Sequence, residues 1–260
     1  MDRRVAIGVD VGGSGIKVGA VDAATGQLVA DRLRVATPNP STPAAVIRSI
    51  ARLVKGAGAG FDPNAPVGVG VPSVVIGGVT KTAANVDPGW IGFDAEAALV
   101  KALKRPVYVL NDADAAGLAE MRYGAGSGKD GVVLVLTLGT GVGSALFNDG
   151  RLVPNTELGH MEIRGRDAER RSAAAARTRR GLSWKAWAAD LDEHLQGIDR
   201  ILWPSLIILG GGVSKRADRF LPLLTARPPL VPATLQNDAG IVCAALAASE
   251  REAKVARAGH

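Results

Sequence analysis

Asp112 follows Asn111 and the apolar stretch "PVYVL", where the pattern predicts that a strand ends. A carboxylate there projects from a rigid element and can take a proton from a substrate hydroxyl. The same side chain could instead cap the helix predicted by "ADAAGLAEM", a place where Asp is favoured, although Asp114 can cap equally well. A second group lies in "GVDVGGSGIKVGAV", Gly8 to Val21. Here Gly12, Gly13 and Gly15, with Ser14 between them, interrupt a strand, and Asp10 and Lys17 flank the interruption. Bare glycine amides let an anion approach the backbone closely, so the stretch reads as a phosphate cradle or as a plain hairpin. It is not a Walker loop, because Lys17 leads into Val18 and more strand. Nor is it the dinucleotide fingerprint, because Val18 stands at the third glycine position.

The elements that must carry these residues follow from periodicity. "VAIGVDVG" and "IKVGAV" alternate as two strands, with "DAATGQ" as a second turn before "LVADRLRVA". "VVLVLTLGTGVGSALFNDGRLV", Val132 to Val153, repeats that grammar, with Gly139, Gly141 and Gly143 in its first turn. Two copies of one meander imply a duplicated architecture. Helices and strands then alternate in each half. The predicted helices are "TPAAVIRSIARLVKGAG", "DAEAALVKALK", "DADAAGLAEMRYG", "SWKAWAADLDEHLQGIDRIL", "KRADRFLPLL" and one near "NDAGIVCAALAASE". The intervening strands are "VGVGV", "PVYVL" and "SLIIL". Mixed sheets covered by helices follow, an α/β fold with a cleft between two related halves. The expected division is 1–111 and 112–238, with a helix at about 239–250 packing back on the first part, and "REAKVARAGH" reads as frayed.

Composition bounds the class. With 260 residues, 47% of them hydrophobic, the chain can fill a sizeable core. Its one cysteine, Cys243 in "AGIVCAALAA", excludes an internal disulfide and a cysteine metal cluster, and suits a reducing cytoplasm. No apolar run reaches membrane-spanning length, so no membrane partner is expected. The net charge of +6 suits a polyanion. Much of it sits in Arg164 to Arg180, where seven arginines face Asp167 and Glu169. That run reads as a solvated, partly helical connector or as an anion track.

Two meander turns and a third glycine turn, "ILGGGVS", resemble the phosphate and adenosine loops of the actin-like, sugar kinase and Hsp70 superfamily. More narrowly, "VDVGGSGIK", "LNDADAAGLAE", "LTLGTGVGSAL", "ELGHMEI" and "LIILGGGVSK" resemble the ROK family of sugar kinases and repressors along nearly the whole chain. Within it, "GVPSVV", "TAANVDPGWIG" and "LSWKAWA" are most similar to members that phosphorylate glucose from inorganic polyphosphate and often from ATP.

The resemblance implies an actin-like ATPase (ribonuclease H-like) fold with two lobes around a central cleft. It makes Asp112 the base acting on the sugar 6-hydroxyl. It gives Asn111, Asp112, Glu157 and His160 to glucose hydroxyls, and less sharply Asn85 and Ser73, either of which could simply serve its own turn. Asp10 would hold a magnesium-bound water. Gly12, Gly13, Ser14, Gly15 and Lys17 would face the donor's terminal phosphate, and Thr137, Gly139, Thr140 and Gly141 its inner phosphates. Gly210, Gly211 and Gly212 would lie against adenosine. Arg177, Arg179 and Arg180, with Lys129 and Lys215, would form a track for polyphosphate. His194, inside an amphipathic helix, and the terminal His260 read as structural or incidental. The family also implies a homodimer.

One departure concerns metal. Many ROK kinases follow "ExGH" with a cysteine-rich zinc element, but here its cysteine positions read Ala175, Arg177 and Leu182, and a sugar-binding glutamate position reads Trp184. No zinc is therefore expected. The rivals are an ATP-only hexose kinase for glucose or mannose, a ROK repressor, and a sugar-sensing protein without catalysis. With a first strand from about Arg4, this sequence has no stretch before it for a helix-turn-helix, and no nucleic acid is expected as partner.

Overall fold

The computed structural model describes residues 5–58, 61–83, 86–235 and 239–258. The chain divides into two compact units, Met1–Ala115 with Asp238–His260, and Ala116–Asn237.

In the first unit, β1 (Val5–Val11) and β2 (Ile16–Asp22) pair antiparallel, with Asp10 opposite Lys17. The expected third strand is two short ones, β3 (Gln27–Leu28) and β4 (Leu33–Val35), both paired with β2. Helix α1 (Pro43–Ala57) starts on a Thr42 cap with Pro43 behind it, and it buries Val46, Ile47, Ile50, Leu53 and Val54 at helical spacing. β5 (Val67–Val71) then runs parallel to β1. A small hairpin of β6 (Val75–Ile76) and β7 (Val79–Thr80) follows. Helix α2 (Ala95–Leu103), capped by Asp94, leads to β8 (Val107–Asn111), parallel to β5, and α3 (Asp112–Tyr123) begins directly after it.

The second unit repeats the plan. β9 (Val132–Leu138), β10 (Val142–Asn148) and β11 (Arg151–Val153) form the meander. The hairpin β12 (Glu162–Ile163) and β13 (Arg166–Asp167) precedes the short helices α4 (Glu169–Ser172) and α5 (Ala174–Arg179). Then come α6 (Trp184–Leu202), β14 (Leu206–Gly210) and β15 (Leu230–Pro232). The sheet orders are β3-β2-β1-β5-β8 and β11-β10-β9-β14-β15, each a meander extended by two parallel strands, which bears out the α/β fold with mixed sheets. Both faces of the second sheet are covered. Leu134, Leu136 and Leu138 pack toward Trp187, Leu191 and Leu195 of α6, while Val133, Val135 and Phe147 pack with Leu118 and Met121 of α3. This is why its strands read as unbroken apolar runs.

Helix α7 (Ala239–Ala258) lies on the first sheet, and it explains Gly68 of "VGVGV" and Gly8 of β1. A Cβ on Gly68 would sit 1.6 Å from the Ala244 carbonyl oxygen, and one on Gly8 would sit 1.8 Å from that of Ile241. Only glycine admits the helix backbone so close. Two expectations are corrected here. The end expected to fray is helical through Ala258, with Arg251 over the Tyr108 ring and bonded to Glu96. The helix expected at 215–224 is instead two 3-10 stretches, Gly212–Arg219 and Leu221–Leu223, because Arg216 leaves helical geometry and Pro222 cannot donate to a helix.

Candidate functional site

The cap of α3 belongs to Asn111. Its Oδ1 accepts from the amides of Ala113, at 2.8 Å, and Asp114, at 3.1 Å, and its Nδ2 donates to the Ser73 carbonyl at 3.2 Å. The helix start thus needs no capping by Asp112, which is half-buried at the strand-to-helix junction. Asn111 retains one amide hydrogen for another acceptor. Ser73 is buried, and its hydroxyl donates within its own turn, to the carbonyls of Val74 and Thr82. Asn85 lies outside the described residues.

At the first glycine turn, Lys17 Nζ donates to Asp10 Oδ2 at 2.8 Å, as their register on β1 and β2 requires. Gly12 N–H closes the turn on the Gly15 carbonyl, Thr37 donates to the Gly12 carbonyl, and Gly13 and Ser14 form the exposed tip. Arg34 of β4 stands beside this turn, its Nε 2.9 Å from where a Gly15 Cβ would be. Sequence reasoning missed Arg34, since only the pairing of β4 with β2 brings it opposite Lys17.

Glu157, Leu158, Gly159 and His160 form a 3-10 turn fixed from three sides. Ser144 Oγ accepts from Leu158 N–H at 3.0 Å, His194 Nε2 lies 3.0 Å from the Leu158 carbonyl oxygen, and a Cβ on Gly159 would be 2.3 Å from the Val142 carbonyl oxygen. The turn presents Glu157 and His160 together, with His160 Nε2 3.9 Å from Glu157 Oε2 and its Nδ1 3.3 Å from Asp167 Oδ2. Burial raises the Glu157 pKa, His160 pulls it down and Glu169 pushes it up. His194 is fully buried, and of the structural and incidental roles expected for it the structural one holds. A carbonyl only accepts, so the ring hydrogen belongs on Nε2, and Nδ1 faces the Ser172 hydroxyl at 2.9 Å. Burial lowers the pKa of His194, which favours this neutral ring. The place of the family's zinc element holds no thiolate, which does not fit a cysteine-type zinc centre, although His160, Asp167 and Glu169 each offer one potential ligand atom within 4.8 Å of the others.

The second glycine turn closes through Gly139 N–H on the Gly141 carbonyl, with Thr137 at the end of β9 and Thr140 exposed. The arginine-rich segment folds onto it. Ala175 N–H of α5 donates to the Gly139 carbonyl, and Glu169 Oε2 accepts from Val142 N–H at 2.9 Å. Beside the turn is a pocket of ≈ 380 Å³ whose walls include Gly139, Thr140, Arg177, Trp184 and Gly212. Gly211 has φ +83 and Gly210 ends β14, so the third glycine turn belongs to the same unit.

The arginines separate by partner. Asp190, at 8% side-chain exposure, binds Arg171 on one oxygen and Arg180, at 2.5 Å, on the other; Arg164 and Arg171 also reach Glu193. Arg179 donates to the Arg170 carbonyl. Arg177 stacks on the Trp184 ring, its guanidinium carbon 3.8 Å from the centroid.

A ROK family model matches residues 6–181. The polyphosphate glucokinase of Mycobacterium tuberculosis is 50% identical over 246 residues, covering 94% of this chain and 91% of that protein. The inorganic polyphosphate/ATP-glucomannokinase of Arthrobacter sp. strain KM superposes with a TM-score of 0.92 at 50% identity, over 95% of this chain and 99% of that one. A ROK family glucokinase from Streptomyces griseus, in complex with glucose and AMPPNP, superposes at 0.82 with 26% identity, over 95% and 99%.

Proposed function

The chain belongs to the ROK family, and from that premise we propose that it phosphorylates glucose at the 6-hydroxyl with inorganic polyphosphate, and also with ATP, to give glucose 6-phosphate. Its α/β fold is the actin-like ATPase fold of the family's sugar kinases. The observation that carries the donor and acceptor is half-identity to a polyphosphate glucokinase across 94% of the chain.

Asp112 accepts the 6-hydroxyl proton, and the sugar oxygen attacks the donor's terminal phosphorus. The bond to the bridging oxygen breaks, and the shortened polyphosphate or ADP leaves with the electron pair. Lys17 and the amides around Gly12 to Gly15 spread the charge of the transferring group, and Arg34 adds a cation beside them. Glu157 and His160 hold other sugar hydroxyls, with Asn111 contributing its remaining amide hydrogen. Thr137, Thr140 and the amides of Gly139 and Gly141 meet the donor's inner phosphates, and the Gly210–Gly212 turn meets adenosine. A single carboxylate at Asp10 fits magnesium, a hard cation that keeps most of its waters and would be held through one of them. Bound there, it would neutralise charge on the donor phosphates. Residence in the cytoplasm as a homodimer completes the reading; no helix among the described residues is long and apolar enough to cross a membrane.

The test is a donor comparison: purified protein, glucose and Mg²⁺ with ATP or long-chain polyphosphate in parallel. Glucose 6-phosphate from both donors supports the proposal. Turnover with ATP alone replaces it by an ATP-only hexose kinase. Because the Arthrobacter relative is named a glucomannokinase, mannose belongs in the same assay.

A further inference from the structure

Trp184, the first residue of α6, gathers two cations. The guanidinium carbon of Arg177 lies 3.8 Å from its ring centroid, and that of Arg216 lies 5.9 Å away. Most of the segment's other arginines are occupied: Arg164, Arg171 and Arg180 have carboxylate partners and Arg179 has a carbonyl. Among the described residues neither Arg177 nor Arg216 has a carboxylate within ion-pairing distance, and Arg177 Nε is buried without any hydrogen-bond partner. A desolvated guanidinium edge without a partner is costly, and two like charges on one indole add repulsion, so an anion joining them would stabilise the arrangement. Arg177 also lines the pocket beside Gly139 and Thr140, where donor phosphates are assigned above.

We propose that Arg177 and Arg216, held by Trp184, bind a phosphate unit of the polyphosphate chain and set the preference for polyphosphate over a nucleotide. The inference rests on the donor reading of the preceding subsection and narrows it to two side chains. Polyphosphate carries a charge at every unit, so the units beyond those at the Thr140 turn still require cations. ATP has only three phosphates, and beyond them presents an uncharged ribose and base, which gain little from a guanidinium pair. Of the pocket's other walls, Leu138, Ala174, Ala175 and Val213 are apolar and would suit that base without the arginines. Sequence reasoning placed Arg177 in a track with Arg179 and Arg180. It missed Arg216, which joins Arg177 only because the 3-10 stretch after β14 passes Trp184.

The test uses full-length Arg177→Gln, Arg216→Gln and the double variant, with Arg151→Gln, an exposed residue of β11, as a matched loss of one charge. Loss of a charge-assisted contact should lower kcat/KM for long polyphosphate about tenfold or more in each single variant. For ATP, kcat/KM should fall several-fold less than for polyphosphate, and in Arg216→Gln, which is not among the pocket's walls, it should stay within about threefold of wild type. KM for glucose should not change, and the salt dependence of polyphosphate KM should flatten, as fewer counterions are released. Titration of glucose-free enzyme with tripolyphosphate gives an assay without turnover: intrinsic tryptophan emission should respond in wild type and Arg151→Gln and lose that response in the double variant. Equal losses with ATP and polyphosphate, or an Arg151→Gln effect as large as that of Arg177→Gln, would overturn the inference. A wild type that uses ATP but no polyphosphate would remove the donor reading itself. A wild type that uses polyphosphate while the double variant does so equally well would remove only the role of these two arginines.

Discussion

His194 Nε2 lies 3.0 Å from the carbonyl oxygen of Leu158, so a buried side chain of α6 holds the turn that presents Glu157 and His160. His194→Leu removes that donor and should cost about 1–3 kcal/mol of stability, the usual penalty for a buried carbonyl left unmet. KM for glucose should rise more than kcat falls, and His194→Gln, which restores a donor, should recover part of both. Burial lowers the His194 pKa, so the unfolded chain binds its proton more readily. Its contribution to stability is therefore full above the ordinary value of 6.5 and declines as pH falls below it. Thermal unfolding of wild type and His194→Gln across that range measures the difference, and the same acid slope in both would refute it.

Asp112→Asn should leave the fold and glucose binding intact, because Asn111 supplies the helix cap. It should lower kcat by about 10²–10⁴, the usual worth of a general base. Retention of more than about a tenth of kcat would exclude Asp112 as the base.

Burial is the main reason that the pKa of Glu157 is raised from 4.5. A carboxylate accepts from sugar hydroxyls at both oxygens, whereas the protonated form has lost part of that capacity. KM for glucose should therefore climb on acidification at pH values still above 4.5. Glu157→Gln should bind glucose more weakly and show no such rise, as measured with ATP in excess. For stability the sign is opposite to that of His194, since a raised carboxyl pKa helps the fold below 4.5 and loses that help as pH rises through the folded value.

Activity should require Mg²⁺ and no zinc. Metal analysis of active protein, before and after chelation, checks this. Stoichiometric zinc lost together with activity, and absent from a His160→Gln, Asp167→Asn variant, would mean that the carboxylates beside His160 replace the missing thiolates.

Gly68→Ala forces a Cβ against the Ala244 carbonyl oxygen, so α7 must move off the sheet. The cost should be about 1–3 kcal/mol, as for other overpacked cores. It is read from the denaturant midpoint at unchanged slope, and a neutral effect would mean that α7 yields freely.

Much of this was legible in the sequence because it is local. The helix of α1 follows from Thr42, Pro43 and its 3.6-residue spacing, and the duplicated meander follows from alternation around glycine turns. Within a few residues such patterns limit what the backbone can do. The motifs likewise marked the ELGH stretch, which folds as a 3-10 turn, and Asp112, which lies at the strand-to-helix junction. Folding alone decided which partner each polar group has. Asn111 rather than Asp112 caps α3 because the end of β8 aims its amide at the first helical N–H groups. Asp190 takes Arg171 and Arg180 from 19 and 10 residues away, leaving Arg177 to Trp184. Arginine looks the same in sequence whether paired or not. Charge and hydrogen bonding act over a few ångströms of space, and the distance between residues far apart in the chain is set only when helices and sheets pack.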